Sequence, residues 1–437
     1  MNDWQETDLG KLCGFQAGDA FSKEKQGSGS GDVPFIKVSD MNNCGNEHFI
    51  NRATNWLTSA EAHSFRKHSA NATVFAKIGE ALRANRRRIL TRPTIIDNNM
   101  MSATAFDGVN ERWLFYLLQT INFNEVSRGS ALPYLAVTDL KRIPVLAPEE
   151  DEQKEIAAVL SALDDKIELN RRMNETLEAL AQAIFKDWFV TFGPTRRKLE
   201  GATDPVTILG GLIPDPAKAA PLAALLPGSF GEDVLPRGWQ SHKLKGLASL
   251  WKESTSPSET PDQLFEHHSL PAYDKGEEPV IEQGGAILSN KFVVPENAVL
   301  LSKLNPEISR VWVPNPSESH PQIASTEFLV LVPINGVGRS LLCAIFRDPS
   351  FRSGLEGMVT GTSKSHQRIS PPALMDKEIV HGSLGAFKEF DALAAPLLDK
   401  RLALRAENRT LAETRDYLLP KLMSGAVRVR EAEQAVP

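Results

Sequence analysis

The pattern that most constrains this chain is a long heptad seam that occurs twice. In the first copy, from Glu149 to Phe189, the seam runs through Ile156, Leu160, Leu163, Ile167, Asn170, Asn174, Leu177, Ala181, Ile184 and Trp188. The steps alternate four and three without a slip, which is how one helix packs along another. Acidic residues crowd the start, where the helix dipole is positive, and Gly193-Pro194 ends the run. A helix of about 38 residues spans about 57 Å. That exceeds a typical globular helix severalfold, so the segment has a spacing or a docking role.

The second copy runs from Gly385 to Gly425. Slid forward so that Asp165-Lys166 falls on Asp399-Lys400, the first copy also places Arg171 on Arg405, Asn174 on Asn408 and Thr176-Leu177 on Thr410-Leu411. Leu397, Leu404, Leu411, Leu418 and Leu422 continue the apolar stripe. A buried asparagine on a seam costs stability and fixes register. Asn174 and Asn408 are therefore candidates for aligning the pair. Pro396 predicts a kink or a fresh helix start, and Pro420 a distorted last turn.

Each seam follows a stretch of mixed strand and helix signals. In residues 1–148, VPFIKVSDMN (33–42), ATVFAKIGE (72–80) and RRILTRPTII (87–96) read as strands, and ERWLFYLLQT (111–120) as a short helix. Residues 236–384 repeat that order. ENAVLLSKLN (296–305) parallels 72–80, with Lys303 in the place of Lys77, and RSLLCAIFRD (339–348) parallels the helix. Residues 191–235 are rich in Pro and Gly and read as a crossing connection. The predicted order is a globular domain (1–148), a long helix (149–190), a linker (191–235), a second domain (236–384), a second long helix (385–425) and a tail (426–437). The predicted fold class is α+β: two mixed domains separated by two long helices that form an antiparallel coiled coil, with a pseudo-two-fold internal repeat.

Composition excludes several classes. With 437 residues the chain exceeds one ordinary core, and its 41% hydrophobic and 24% charged content is that of a globular protein. There is no apolar run long enough to span a membrane, and MNDWQETDLGKL lacks the apolar core of a signal peptide. Cys13, Cys44 and Cys343 are scattered and odd in number, which argues against a disulfide framework and for a reducing cytoplasm. His63 with His68, and His267 with His268, lack metal-site spacing. No phosphate-binding GxxxxGK[ST] loop, (D/N)PP(Y/F) stretch or GxSxG elbow occurs. The net charge of −6 requires that any polyanion-binding role rest on a local concentration of cations.

EQKEIAAVLSALDDKIELNRRMNETLEALAQAIFKDWFVTFGP resembles the central region of type I restriction–modification specificity subunits. LLPGSFGEDVLPRGW resembles the start of that family's second recognition domain. LPAYDKGEEPVIEQGGAILSNKFVVPENAVLLSKLNPEISRVW is similar to one class of its recognition domains, and VPFIKVSDMN with GSALPYLAVTDL carries the likeness into the first domain. The resemblance implies a non-catalytic DNA-binding subunit in which each domain reads one half of a bipartite, asymmetric target. The helices would set the gap and dock two methyltransferase subunits. Double-stranded DNA would be the ligand, with two restriction subunits added in a restricting complex. The chain would need no cofactor of its own; its partners would use S-adenosylmethionine, ATP and Mg. Two other readings are a stand-alone DNA-modifying enzyme and a coiled-coil scaffold without DNA binding.

A DNA reader needs cations for phosphates and polar side chains for base edges. The densest basic cluster is Arg83, Arg86, Arg87 and Arg88. Lys77 and Lys303 occupy equivalent places after apolar strands. Thr362, Ser363, Lys364, His366 and Arg368 lie on a glycine-led polar loop, with Arg128 before its counterpart and Arg310 as a weaker candidate. Trp188 and Phe189 on the first helix are candidates for the methyltransferase interface.

Overall fold

The computed structural model describes residues 4–22, 26–43, 45–317, 319–355, 358–360 and 367–429. It divides into two compact units, Met1–Arg172 with Arg405–Pro437, and Met173–Leu404. Each unit holds one globular domain and part of each long helix. The long helices are Glu150–Phe185, 36 residues, and Leu384–Met423, 40 residues.

In the first unit the central sheet has the strand order Cys13–Ala17, Met100–Ala105, Thr73–Ala76, Arg87–Leu90, Phe49–Ile50. Helix Glu111–Thr120 buries Trp113 through Leu118 in the cluster that also holds Phe75, Ile89 and Met101. A smaller sheet joins Asn55–Leu57, Val33–Ile36 and Ile95–Ile96. The predicted single strand 87–96 is thus two strands in two sheets. Pro93 lies at the break, where it has no backbone donor to give a ladder.

In the second unit the central sheet has the order Ala248–Trp251, Phe328–Pro333, Val299–Ser302, Val311–Trp312. Helix Arg339–Arg347 buries Ser340 through Phe346. The smaller sheet here has five strands: Ser254–Thr255, Lys291–Val293, Gln322–Ala324, Leu264–His268 and Val280–Gln283. The linker is more ordered than its composition suggests. Helices Gly193–Leu199, Pro205–Ile208 and Pro216–Leu225 carry Ile208, Ala219, Leu222 and Ala223 into the core of this unit. Proline at the first turn of each suits helix starts, where its missing N–H costs nothing.

Within each unit the two long helices pair antiparallel. In the first, Leu411, Leu418 and Leu422 pack with Ile156, Leu160 and Leu163. There Asp164 bonds Arg415 at 2.8 Å, while further along the first helix Asn170 bonds Asn408, lower on the second, at 2.9 Å. In the second, Ile184 and Phe185 share a cluster with Phe390, Ala394, Leu398 and Leu402. The second helix runs unbroken through Pro396 and Pro420, so no new helix starts at Pro396. Burial of Ala394, Leu398 and Leu402 on one stripe outweighs the single backbone bond each proline removes.

Candidate nucleic-acid interface

The equivalence of Lys77 and Lys303 is reproduced by the backbone. Lys77 N donates to Asn99 O at 2.9 Å, and Leu135 N donates to Lys77 O at 2.9 Å. Lys303 N donates to Glu327 O at 3.0 Å, and Ile369 N donates to Lys303 O at 2.9 Å. Both lysines therefore leave the end of a central strand in the same bonding frame. Both are half-buried, and among the described residues neither ammonium is in ion-pair contact with a carboxylate.

The arginine cluster separates into surface and interior members. Arg83 is exposed, with an ion pair to Glu80 at 3.1 Å and a bond to Ser130 O at 3.2 Å. Arg86 is exposed and bonds Asn42 Oδ1. Arg87 is a correction: it is buried, donates to the carbonyls of Asn85 and Ile121, and lies 3.9 Å over the Phe123 ring. Burial holds its guanidinium well below the usual arginine range. Arg88 is a second correction. It donates to the carbonyls of Asn46, Arg87 and Met41, so its fork ties loop to strand and is not free for DNA. Burial, then the charge of Arg86, pushes it down to about 10.

Arg128 is exposed and makes a two-pronged pair with Asp139, both bonds 2.6 Å. Arg368 does the same with Glu327 at 3.0 and 2.9 Å and keeps a half-exposed side chain. Such surface pairs are worth little and can yield to phosphate. Arg310 is a third correction: its side chain is nearly buried and its fork is closed on Asp274 at 2.7 and 2.9 Å. Thr362, Ser363, Lys364 and His366 lie outside the described residues.

The helix candidates also change. Trp188 and Phe189 occupy a π-turn, Lys186–Val190, at the end of the first long helix. They are 1% and 2% exposed, and Phe189 meets Phe387, Trp239 and Phe390 at ring separations of 5.2, 5.6 and 5.7 Å. They pack inside their own unit and offer no surface to a partner. Asn174 does not pair with Asn408. The bonded asparagines are Asn170 and Asn408, with Asn408 Nδ2 also donating to Ile167 O at 3.3 Å. A translational match along the sequence is not a contact in an antiparallel pair, where numbers rise on one helix as they fall on the other. Asn174 Oδ1 is buried with no hydrogen-bond partner among the described residues.

Two charged hubs fix domain to helix, and neither is marked by any local sequence pattern. In the first unit Asp164, 1% exposed, accepts from Tyr116 Oη at 2.7 Å and from Arg415 Nη1 at 2.8 Å. Arg415 Nη1 also donates to His48 Nε2 at 2.7 Å, which requires a neutral imidazole. Burial lowers the His48 pKa against the opposing charge of Asp164, and the lowered pKa favours that neutral form. In the second unit Glu178 forms an ion pair with Arg347 at 2.7 Å and accepts from Arg401 Nη2 at 2.5 Å. Among the described residues no His, Cys, Asp or Glu group could hold a metal ion, and no helix is long and apolar enough to cross a membrane.

Known proteins match this arrangement. The family model described as the type I restriction modification DNA specificity domain covers residues 1–179. The chain is 24% identical to the type I restriction enzyme HindI specificity subunit of Haemophilus influenzae, across 98% of this chain and 100% of that protein. It is 26% identical to the MjaIX specificity subunit of Methanocaldococcus jannaschii, across 97% and 93%. In fold it is similar to the crystal structure of a type I restriction–modification S subunit from M. genitalium, with a TM-score of 0.57, 13% identity and 97% coverage of both chains.

Proposed function

We propose, from the premise that this chain belongs to the family of type I restriction–modification specificity subunits, that each of its domains reads one half of a bipartite DNA target. The observation that carries the reading is the pair Lys77 and Lys303. Two unpaired cations leave the same bonding frame in two domains whose other surface residues differ. One frame with two sets of side chains suits an asymmetric target. Arg83, Arg86, Arg128 and Arg368 would add phosphate contacts by exchanging their present partners. The family match favours this reading over the stand-alone enzyme and the scaffold.

The chain would be non-catalytic and cytoplasmic, and would act with two methyltransferase subunits and, in a restricting complex, two restriction subunits. Those partners would bring S-adenosylmethionine, ATP and Mg. Their seats would lie on outward helix surfaces, because Trp188 and Phe189 are committed to the interior.

The test is single-molecule methylation mapping of DNA from cells co-expressing the chain with its modification subunit. A two-part motif with a fixed gap is expected, and replacing residues 236–384 by a relative's domain should change one part only. A change in both parts, or in neither, would refute the modular reading. In binding assays Lys77→Ala and Lys303→Ala should each weaken binding and reduce the salt slope by about 1.

A further inference from the structure

The second domain contains a groove of about 640 Å³ between its central sheet and helix Pro371–Asp376. That volume falls within the ~300–1,000 Å³ of small-ligand sites. Trp251, Phe292, Phe328 and Pro371 supply apolar and aromatic walls, and Lys252 and Lys303 are the cations among the lining residues. Neither lysine is in ion-pair contact with a carboxylate among the described residues. The charge of Lys303 acts on Glu327, whose carboxylate is already paired with Arg368. Trp251 Nε1 is buried and has no acceptor among the described residues. An indole N–H removed from water normally finds one.

The groove thus presents aromatic walls and two positive charges, and an unused indole donor lies buried within one wall. An apolar side chain from a protein partner would use the first and leave the other two unmet. A nucleotide turned out of the helical stack uses all three. Its base stacks on the aromatic walls, its phosphate meets the lysines, and a rotation of the indole on binding would bring Trp251 Nε1 to a ring nitrogen or carbonyl oxygen. The first domain lacks this chemistry. Trp251 stands opposite Val330 as Gln16 stands opposite Ser102, and the residues that follow are Lys252 and Ala17.

We propose that the groove lined by Trp251, Lys252 and Lys303 receives one unstacked nucleotide of the half-target read by the second domain. This rests on the DNA-reading assignment above and adds a second place, besides a modification subunit's active site, where a base leaves the stack.

The experiment uses the full chain assembled with its modification subunits and the duplex identified by methylation mapping. A fluorescent base analogue, 2-aminopurine, replaces one base at a time across the second half-target. One position other than the methylated adenine should brighten severalfold on binding. Trp251→Ala should abolish that signal and weaken binding on the order of 10-fold, as loss of one stacked base does. Trp251→Phe, which keeps the wall, should retain most of both. No such position in a complex that binds and methylates its target overturns the inference and leaves the DNA-reading role standing. So does brightening that persists in Trp251→Ala. Release of modification subunits by Trp251→Ala, with DNA signals unchanged, would assign the groove to a protein instead. Failure to retain any duplex would sink both readings.

Discussion

The two domains can be laid on one another strand by strand. Thr73 faces Ala103 as Val299 faces Leu331, and Cys13 faces Ala105 as Ala248 faces Pro333. Gln5 faces Ala147 as Gln240 faces Gly382. The parallel pair Phe35 with Ile95 recurs as His267 with Ile323. Beyond this shared register the domains separate. The smaller sheet has three strands in the first and five in the second, where Ser254–Thr255 and Lys291–Val293 are added. Arg87 and Arg88, opposite Phe75 and Val74, have Val311 and Trp312 as counterparts opposite Leu301 and Leu300. Pairing register, which a one-residue slip would invert, is kept, while the side chains carried on it vary freely. A reader of two different half-targets needs that division.

The hubs that join domain to helix show the same freedom. The first unit centres on one nearly inaccessible acid, and the second on a half-buried acid between two arginines. Removing Asp164 takes the acidic acceptor from the Tyr116 hydroxyl and leaves Arg415 with Asp416 as its one carboxylate among the described residues. Asp164→Ala should therefore destabilise by about 3–5 kcal/mol in denaturant unfolding, and Glu178→Ala by less because its side chain is 35% exposed. Equal losses would show that burial does not distinguish the hubs.

A smaller effect concerns one histidine in each domain. His68 Nδ1 lies 2.7 Å from Ser102 Oγ, and His268 Nδ1 lies 3.2 Å from Ile323 O. Burial lowers each to about 4, against modest opposition from Asp19 for His68 and from Ile323 O and Glu266 for His268. The unfolded chain binds these protons near pH 6.5, so it holds more protons than the native state between there and pH 4. Their contribution is complete above pH 6.5 and disappears on acidification through that window, by about 3 kcal/mol each at pH 4. His268→Gln should flatten the fall in Tm between pH 6.5 and 4. An unchanged slope would remove His268 from the account.

The smallest effect tests the seam. Asn408→Ala breaks the bond from Asn170 and should cost about 1 kcal/mol. Asn174→Leu replaces an amide whose oxygen has no partner, and stability should stay level or rise slightly. A loss at Asn174 as large as that at Asn408 would mean the two seam positions are alike after all.

The central strands, the helix Glu111–Thr120 and both long helices were legible because each is written in local periodicity. The short outer strands were not. Asn55–Leu57 and Val280–Gln283 owe their pairing to segments distant in sequence and carry little pattern of their own. Lys77 and Lys303 could be matched because each follows an apolar strand. Arg87 could not be told from its neighbours, because only the fold shows Phe123 beneath it and two carbonyls around it. Trp251 carries no functional signal in the sequence, because one tryptophan in a short strand ordinarily reads as core.

Each long helix begins in one unit and ends in the other, and this governs the order in which the protein can be completed. Residues 405–429 leave the ribosome after both globular domains, yet they cover Leu160 and Leu163 and supply Arg415 to Asp164, 251 positions earlier. The first domain to be synthesised is therefore the last to close. Until residues 405–429 emerge, the stripe at its helix stays wet, and a nascent chain halted in the connector carries that exposed stripe with it.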